Sequence, residues 1–239
     1  MSLQGKGVAV TRPSSLAQGL AALIEAAGGK AFLFPAIEIE PLAAAAPSGP
    51  LDLAVFISPT AVREGLRYLR APLPRIAALS RGTRRELERQ GVAVAFAAGE
   101  GADSEALLAQ PELAEVAGRR IVIFRGQGGR EALGEGLRGR GALVEYVECY
   151  RRLRPRSDAA PLVAAWRGGR LHAITVSSAQ GLGNLFEMLD RDLLRGLPLF
   201  VPHQRVAGDA RRAGVREVLV AGPGDDEMLA ALVAYFQLR

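Results

Sequence analysis

The sequence contains a single cysteine, Cys149, so no disulfide can form within the chain. A lone thiol fits a reducing compartment and leaves no cysteine pair to bind zinc. Histidine is almost as scarce: His172 and His203 are the two in the chain, and no H-x-x-x-H spacing occurs. There is also no run of the roughly 20 apolar residues that a membrane span needs. Because the first residues lack the apolar segment of an export signal, we expect a cytoplasmic protein.

Aromatic residues make up only 5% of the chain, although 30 residues are lysine or arginine and the formal net charge is +5. A basic protein can bind nucleic acid, and this is one alternative function. However, the arginines are scattered along the sequence, and few aromatic rings are present. A small molecule that carries several negative charges fits this pattern at least as well.

Nucleotide-binding motifs are absent or incomplete. The chain has no G-x-x-x-x-G-K-[ST] loop, and the glycine-rich turn at 126–131 lacks the third glycine of G-x-G-x-x-G because position 131 is glutamate. A tight strand-to-helix turn is therefore favoured there over dinucleotide binding. A nucleophilic pair of Cys149 and a histidine is conceivable, but inert cysteines are the commoner kind. We expect neither a cofactor nor a metal.

Short β-rich runs alternate with segments of helical period along the whole chain. Apolar residues at helical spacing, such as Leu16, Leu20 and Leu23, predict amphipathic helices between the strands. This βαβα order predicts an α/β fold with parallel sheets covered by helices on both faces. The predicted strands are residues 8–11, 31–34, 54–58, 76–79, 93–97, 121–125, 143–147, 173–177, 199–201 and 218–221.

The sequence also contains an internal duplication in the order A-B-C-A-B-C. In block A, the shift that places Arg12 on Arg125 also places Leu20 on Leu133. Block B at 55–59 recurs at 175–179, and block C at 85–92 recurs at 209–215. Two extended segments flanked by prolines, residues 35–41 and 148–155, have the features of linkers.

Several predicted strands end in a small hydroxyl residue or an arginine, directly before a helix. Ligands of open parallel sheets bind outside the carboxyl ends of the strands, where helix N-termini favour anions. Helix capping explains each hydroxyl taken singly. A cation at such a place opposes the helix dipole unless an anion lies between them. Arg12 and Arg125, at equivalent places in the two copies, are therefore the best anion-binding candidates from the residue pattern.

Six short motifs follow one another along the chain. They are VTRP at 10–13, FPAIEI at 34–39, FISPTAV at 56–62, FRGQGGR at 124–130, VECYR at 147–151 and VSSAQGL at 176–182. In this order they cover nearly the whole sequence, and the ordered set resembles the uroporphyrinogen-III synthase family. Each motif is weakly specific by itself, whereas the set is strongly so.

The resemblance implies a fold of two flavodoxin-like lobes with parallel sheets, joined by a two-stranded β-ladder linker. The first lobe would join residues 1–36 to 156–239, the second would hold 42–148, and the linkers would be 37–41 and 149–155. Blocks A and B of the same repeat would then lie in different lobes.

The resemblance also implies an enzyme, a cyclising hydro-lyase that needs no cofactor. Its substrate would be hydroxymethylbilane, a linear tetrapyrrole with eight carboxylates, and its product uroporphyrinogen III, with the terminal pyrrole ring inverted, in haem and sirohaem biosynthesis. The pyrroles supply the electrons, so the protein provides orientation and acid assistance. We expect a monomer with no nucleic-acid or membrane partner. A two-lobed binding or sensor protein without catalysis is the alternative, since a fold does not fix a function.

Family resemblance and residue pattern together define a predicted site. The resemblance implies that Tyr150 is the catalytic acid, and a phenol with a pKa of about 10 stays protonated at neutral pH and can donate to the departing hydroxyl. Its alternative role is interdomain packing. The predicted substrate-binding residues are Arg12, Ser58, Ser80, Thr83, Arg125, Gly126, Arg130, Ser178 and His203.

Overall fold

The computed structural model describes residues 2–99 and 103–238, and this part of the chain forms eleven strands and ten α-helices. The strands are β1 (Gly7–Val10), β2 (Lys30–Leu33), β3 (Glu38–Pro41), β4 (Leu53–Phe56), β5 (Arg75–Ala78), β6 (Phe96–Ala97), β7 (Arg120–Gly126), β8 (Leu143–Leu153), β9 (Ala173–Thr175), β10 (Leu199–Val201) and β11 (Val218–Val220). The helices are α1 (Ser14–Ala26), α2 (Pro59–Gly65), α3 (Arg81–Arg89), α4 (Ser104–Leu108), α5 (Ala132–Gly139), α6 (Ala160–Arg167), α7 (Ala179–Met188), α8 (Arg191–Gly196), α9 (Gln204–Arg212) and α10 (Asp225–Gln237). No helix in these residues combines the length and the apolar character that crossing a membrane requires.

The chain divides into two compact units, and the first joins Met1–Glu38 to Leu153–Arg239. Its five strands are parallel and lie in the order β11-β10-β9-β1-β2. Numbered along the chain within the unit, this is the 2-1-3-4-5 order of flavodoxin-like folds. Alternate residues of β1 point to opposite faces of the sheet. Val8 and Val10 pack with α1 and α10 on one face, and Ala9 packs with residues of α7 and α9 on the other.

The second unit is the continuous segment Ile39–Arg152, and its sheet has the order β3-β8-β7-β4-β5-β6. The strands from β8 to β6 are parallel. Numbered along the chain from β4 and read from β6, these five strands have the order 3-2-1-4-5; the 2-1-3-4-5 order results only when the count starts at β7 and continues at β4. One face packs on α4 and α5, and the other, which contains the stacked rings of Phe56 and Phe124, packs on α2 and α3. β3 lies beside β8 at one edge.

The predicted α/β fold class with two parallel sheets is confirmed. The repeated blocks are distributed over both units: β1 and β9, from block A of the first copy and block B of the second, belong to the first unit. β4 and β7, from block B of the first copy and block A of the second, belong to the second unit. Each sheet is therefore completed by both copies of the repeat.

The residues from 149 to 155 are largely extended, as expected for one strand of a two-stranded ladder. β8 continues to Leu153, so most of this segment is regular strand. Two contacts hold it there: the Gln127 N–H donates to the carbonyl of Tyr150 at 2.8 Å, and the Leu42 N–H donates to that of Cys149 at 3.0 Å. That residues 37–41 and 149–155 link two lobes stays a prediction.

Candidate functional site

Several predicted site residues lie at the carboxyl edge of the sheet in the second unit. Ser58 follows β4, Ser80 lies just beyond β5, Arg125 and Gly126 end β7, and Tyr150 lies near the end of β8. The strands are parallel, so their carboxyl ends meet at this one edge. The fold thus brings these five residues to the same edge of the sheet, the one formed by the carboxyl ends of its strands.

Tyr150 is the most buried of them. Its side chain is 1% exposed and belongs to the hydrophobic cluster on the α2 and α3 face. The phenol oxygen lies 3.1 Å from Ser58 Oγ and accepts a hydrogen bond from Arg152 Nη2 at 3.2 Å. The ring covers Gly126, where a Cβ atom would lie 2.8 Å from two ring carbons. The ring is therefore fixed by packing and its hydroxyl by two hydrogen bonds.

All three predicted binding serines cap helices. Ser58, Ser80 and Ser178 have extended backbone conformations at the N-cap positions of α2, α3 and α7. Their hydroxyl oxygens accept from the N–H groups of Ala61, Thr83 and Gly181 at 3.0, 3.3 and 3.1 Å. The capping role expected for hydroxyls at strand ends is confirmed. Thr83 is fully buried, and its hydroxyl lies 3.0 Å from that of Ser80, so its polar contact is internal to the cap.

Arg125 is neutralised by carboxylates of its own unit. The residue is 7% exposed, and its guanidinium forms ion pairs with Glu131 at 2.7 Å and Glu148 at 3.0 Å. It also lies over the ring of Tyr146, 3.7 Å from the centroid. Burial lowers the pKa of Arg125. The hydrogen bonds to the two carboxylates outweigh this effect, so the pKa is raised above its ordinary value. The hydrogen bond from Arg125 also lowers the pKa of Glu131.

Arg12 has a comparable arrangement in the first unit. Its guanidinium pairs with Asp225, the first residue of α10, and donates to the carbonyl of Pro223 at 3.1 Å. In the second unit, Glu131 is the N-cap residue of α5. The anion expected beside each arginine is therefore a carboxylate of the chain itself. That Arg12 and Arg125 bind an external anion stays a prediction.

Two predicted binding residues have exposed side chains. Arg130 lies in the turn after β7, and His203 occupies the N-cap position of α9 without a capping hydrogen bond from its side chain. His203, Arg12 and Ser178 belong to the first unit, and the other predicted site residues belong to the second.

Cys149 is not suited to nucleophilic catalysis. It is buried, and burial raises the pKa of its thiol to about 11, so it is protonated at neutral pH. The S–H group contacts the carbonyl of Arg125 at 3.4 Å. Within residues 2–99 and 103–238, no group of three or more His, Cys, Asp or Glu side chains is placed to hold a metal ion.

The comparisons with known proteins agree over the length of the chain. The family model described as uroporphyrinogen-III synthase HemD matches residues 18–230. The chain belongs to the uroporphyrinogen-III synthase family. The curated synthase of Escherichia coli K12 is 31% identical over 242 residues, covering 93% of this chain and 97% of that protein. The synthase of Salmonella typhimurium LT2 is 32% identical over 246 residues, with the same coverage.

Solved structures of uroporphyrinogen-III synthases share the fold. A mutant synthase from the thermophilic bacterium Thermus thermophilus is 21% identical with a TM-score of 0.59, covering 98% of this chain and 100% of that one. The Helicobacter pylori 26695 protein is 15% identical with a TM-score of 0.64, and each chain is fully covered. At these identities the likeness establishes the α/β fold.

Sequence reasoning missed the partners of the site residues. The residue pattern marks Glu131 only as the residue that interrupts a glycine motif, and it does not mark Asp225 as a partner of Arg12. Glu148 and Arg152 were not singled out, although a signal existed for Arg152. It lies two residues after Tyr150 in a strand, and residues i and i+2 of a strand share a face.

Proposed function

We propose that the chain catalyses the cyclisation of hydroxymethylbilane to uroporphyrinogen III, as a lyase that releases water. The family membership over 93% of the chain carries this proposal. The site adds a specific support: the acid expected from the sequence, Tyr150, has a hydrogen-bonded hydroxyl at the carboxyl edge of a parallel sheet. This edge is where open α/β sheets bind their ligands.

The reaction needs a proton where the substrate loses its hydroxyl group. The bond between the terminal hydroxymethyl carbon and its oxygen breaks, a proton makes the departing oxygen into water, and an electrophilic azafulvene remains. The attack on this carbon forms a spiro intermediate, which fragments so that the macrocycle closes with the ring inverted. Tyr150 and the groups bonded to it supply acid assistance. The fold supplies the orientation that favours the inverted product.

The substrate's carboxylates would be bound by the groups at the sheet edges. The N-termini of α2, α3 and α7 carry backbone N–H groups, which attract anions. The exposed Arg130 and His203 add donors, and Arg12 and Arg125 would exchange part of their bonds to Asp225, Glu131 and Glu148 for substrate carboxylates. We propose that the protein acts as a cytoplasmic monomer without a cofactor, since the pyrroles provide the electrons.

The direct test is to incubate the purified protein with hydroxymethylbilane and to identify the uroporphyrinogen isomer by chromatography after oxidation. We expect the isomer with the inverted ring, formed faster than the substrate cyclises in buffer. Formation of only the non-inverted isomer, at the rate of the buffer control, would refute the proposed function.

Removing the phenol hydroxyl tests the acid. Tyr150→Phe should lower kcat by about 10- to 150-fold, which corresponds to about 1.4–3 kcal/mol of barrier. Tyr68→Phe is the matched control, because Tyr68 lies in the same unit and donates its hydroxyl to the carbonyl of Leu42 at 2.7 Å. This control should keep its turnover. An unchanged kcat in Tyr150→Phe would leave Tyr150 a packing residue.

A further inference from the structure

Three side chains form a continuous hydrogen-bonded series at the carboxyl edge of the second unit's sheet. Arg152 Nη2 lies 3.2 Å from Tyr150 Oη, and Tyr150 Oη lies 3.1 Å from Ser58 Oγ. The Ala61 N–H donates to the same Ser58 oxygen at 3.0 Å. We call Arg152, Tyr150 and Ser58 the relay. The direction of its bonds follows from counting donors and acceptors.

The phenol proton is directed to Ser58. A guanidinium only donates, so Tyr150 Oη must accept the bond from Arg152. Tyr150 has one proton of its own, and Ser58 Oγ is the only acceptor within hydrogen-bond distance of it in the described part of the chain. If Ser58 donated instead, the phenol proton, on a side chain that is 1% exposed, would be left without a partner. Such buried unpaired donors are rare in folded proteins.

Ser58 is consequently left with a proton to donate. A serine hydroxyl has two acceptor lone pairs and one proton. Its lone pairs are used by Tyr150 and by the helix-capping bond from Ala61. Ser58 is partly exposed, whereas Tyr150 is buried. The free proton therefore lies on a side chain that a ligand can reach; Arg152, at the other end of the relay, is exposed as well.

We propose that Ser58 is the residue that protonates the leaving hydroxyl of the substrate, and that Tyr150 and Arg152 act through it. This inference rests on the proposed function. As the carbon–oxygen bond breaks, Ser58 gives its proton to the departing oxygen, which leaves as water. Ser58 takes the phenol proton in turn, and the positive charge of Arg152 stabilises the phenolate. The pyrrole carbon that forms the last ring bond loses one proton, and this proton restores the relay.

The test compares Ser58→Ala, Tyr150→Phe and the double variant. If one proton path joins the two residues, each single change should lower kcat by about 10- to 150-fold with little change in KM. The double variant should then be no more than about threefold slower than the slower single variant. Ser58→Thr keeps both the hydroxyl and the cap, and it should recover most of the turnover.

Two substitutions test the charge of Arg152, and a solvent isotope effect tests the proton transfer from Ser58. Arg152→Leu should lower kcat about 10-fold, and Arg152→Lys should recover most of it, since an ammonium group still donates. A solvent deuterium isotope effect on kcat in the unaltered protein should shrink in Ser58→Ala, because the protein no longer transfers the proton. A purely structural role for Ser58 would leave this isotope effect in place.

Two control variants separate the relay from general destabilisation. Asp103→Ala removes the capping bond to the Ala106 N–H at 2.9 Å in α4, and Arg151→Leu removes the ion pair with Glu40 at 2.7 Å. Neither side chain belongs to the relay, so both controls should keep kcat. Melting curves of all variants report folding.

The possible failures are distinguishable. If the unaltered protein forms no uroporphyrinogen III, the proposed function fails and the relay fails with it. If that product forms and Tyr150→Phe is slow, while Ser58→Ala has full turnover, the relay is wrong and the proposed function stands. Single effects that multiply in the double variant would also overturn the relay, because they would show two independent roles.

Discussion

Gly126 is the residue whose missing side chain makes room for Tyr150. A Cβ atom at this position would lie 2.8 Å from Cε2 and Cζ of the phenol ring and 3.1 Å from its oxygen. Gly126→Ala should therefore displace the ring and weaken the bond between Tyr150 and Ser58. We expect a loss of stability of about 1–3 kcal/mol, as in other overpacked cores, and a lower kcat. Urea unfolding and steady-state kinetics measure the two effects.

Gly139→Ala is the matched control for this substitution. Gly139 is the last residue of α5, and a Cβ atom there would meet nothing within 4 Å beyond its chain neighbours and the nearby backbone of its own helix. Alanine is the better helix former, so stability should stay equal or rise by up to about 1 kcal/mol. Full turnover in Gly126→Ala would show that close packing on Gly126 does not hold the phenol in its working position.

The sequence was sufficient to find the two arginines but not their partners. Arg12 and Arg125 follow from a rule that concerns only neighbouring residues: a cation between a strand and a helix N-terminus needs an anion. For Arg12 that anion, Asp225, lies 213 residues further along the chain. No local pattern connects positions so far apart. The sequence therefore predicts that an anion is present, and the fold determines that a carboxylate of the chain is already there.

Helices α2 and α3 are joined by a buried carboxylate, Glu86. The residue is 6% exposed and accepts hydrogen bonds from Arg63 at 2.9 Å, Arg89 at 2.7 Å and Gln90 at 3.1 Å. Burial alone would raise the pKa of Glu86, but the three hydrogen bonds outweigh burial and lower it to about 2. The folded protein thus binds fewer protons here than the unfolded chain, whose glutamate has the ordinary value of 4.5.

This difference gives the protein a defined acid sensitivity. The contribution of Glu86 to stability is complete above about pH 4.5 and is lost as the pH falls towards 2. Glu86→Gln should lower the free energy of unfolding at pH 7 by about 2–4 kcal/mol and flatten its dependence on pH below 4.5. Urea titrations between about pH 3 and 7 test both statements.

Glu88→Gln is the control within the same helix. Glu88 is about half exposed and pairs with Arg84 at 2.8 Å, so its loss should change stability by less than about 0.5 kcal/mol. Equal effects of the two substitutions would show that burial of Glu86 adds nothing to its ion pairs.

The ends of two strands show where local sequence rules stop being sufficient. The β-rich run at 93–97 predicted five strand residues, whereas β6 contains only Phe96 and Ala97. β6 is an edge strand that pairs with β5 alone, so fewer of its residues are held in the ladder. β8 is longer than the predicted strand at 143–147, because this strand and the extended segment predicted at 148–155 form one strand to Leu153 with neighbours on both sides.

At the scale of the whole molecule, the second unit is continuous and the first is not. Residues 39–152 contain the five strands of the parallel sheet, apart from the last residue of β8, and two hydrophobic clusters of their own. The A-B-C repeat is visible in the sequence, but the repeat does not say which copy of a block belongs to which sheet. That assignment was implied only by the family resemblance.

A fragment that spans residues 39–152 should fold by itself. We expect cooperative thermal unfolding by circular dichroism and dispersed amide signals by NMR, because the fragment keeps every strand of its sheet and loses only the first residue of β3 and the last residue of β8. A fragment of residues 1–38 is the comparison and should be disordered. A disordered 39–152 fragment would show that the second unit depends on the first for its stability.

The discontinuous first unit also has a consequence for synthesis on the ribosome. β1, α1 and β2 are made first, but β9, the strand that pairs with the other side of β1, follows only after the second unit is complete. At about 5–20 residues per second, the wait for β9 lasts roughly 7–30 s. During this time Leu20 and Ile24, which are fully buried in the finished protein, have no complete sheet to cover them. The nascent N-terminal segment is therefore the part of this chain that should engage chaperones while translation continues.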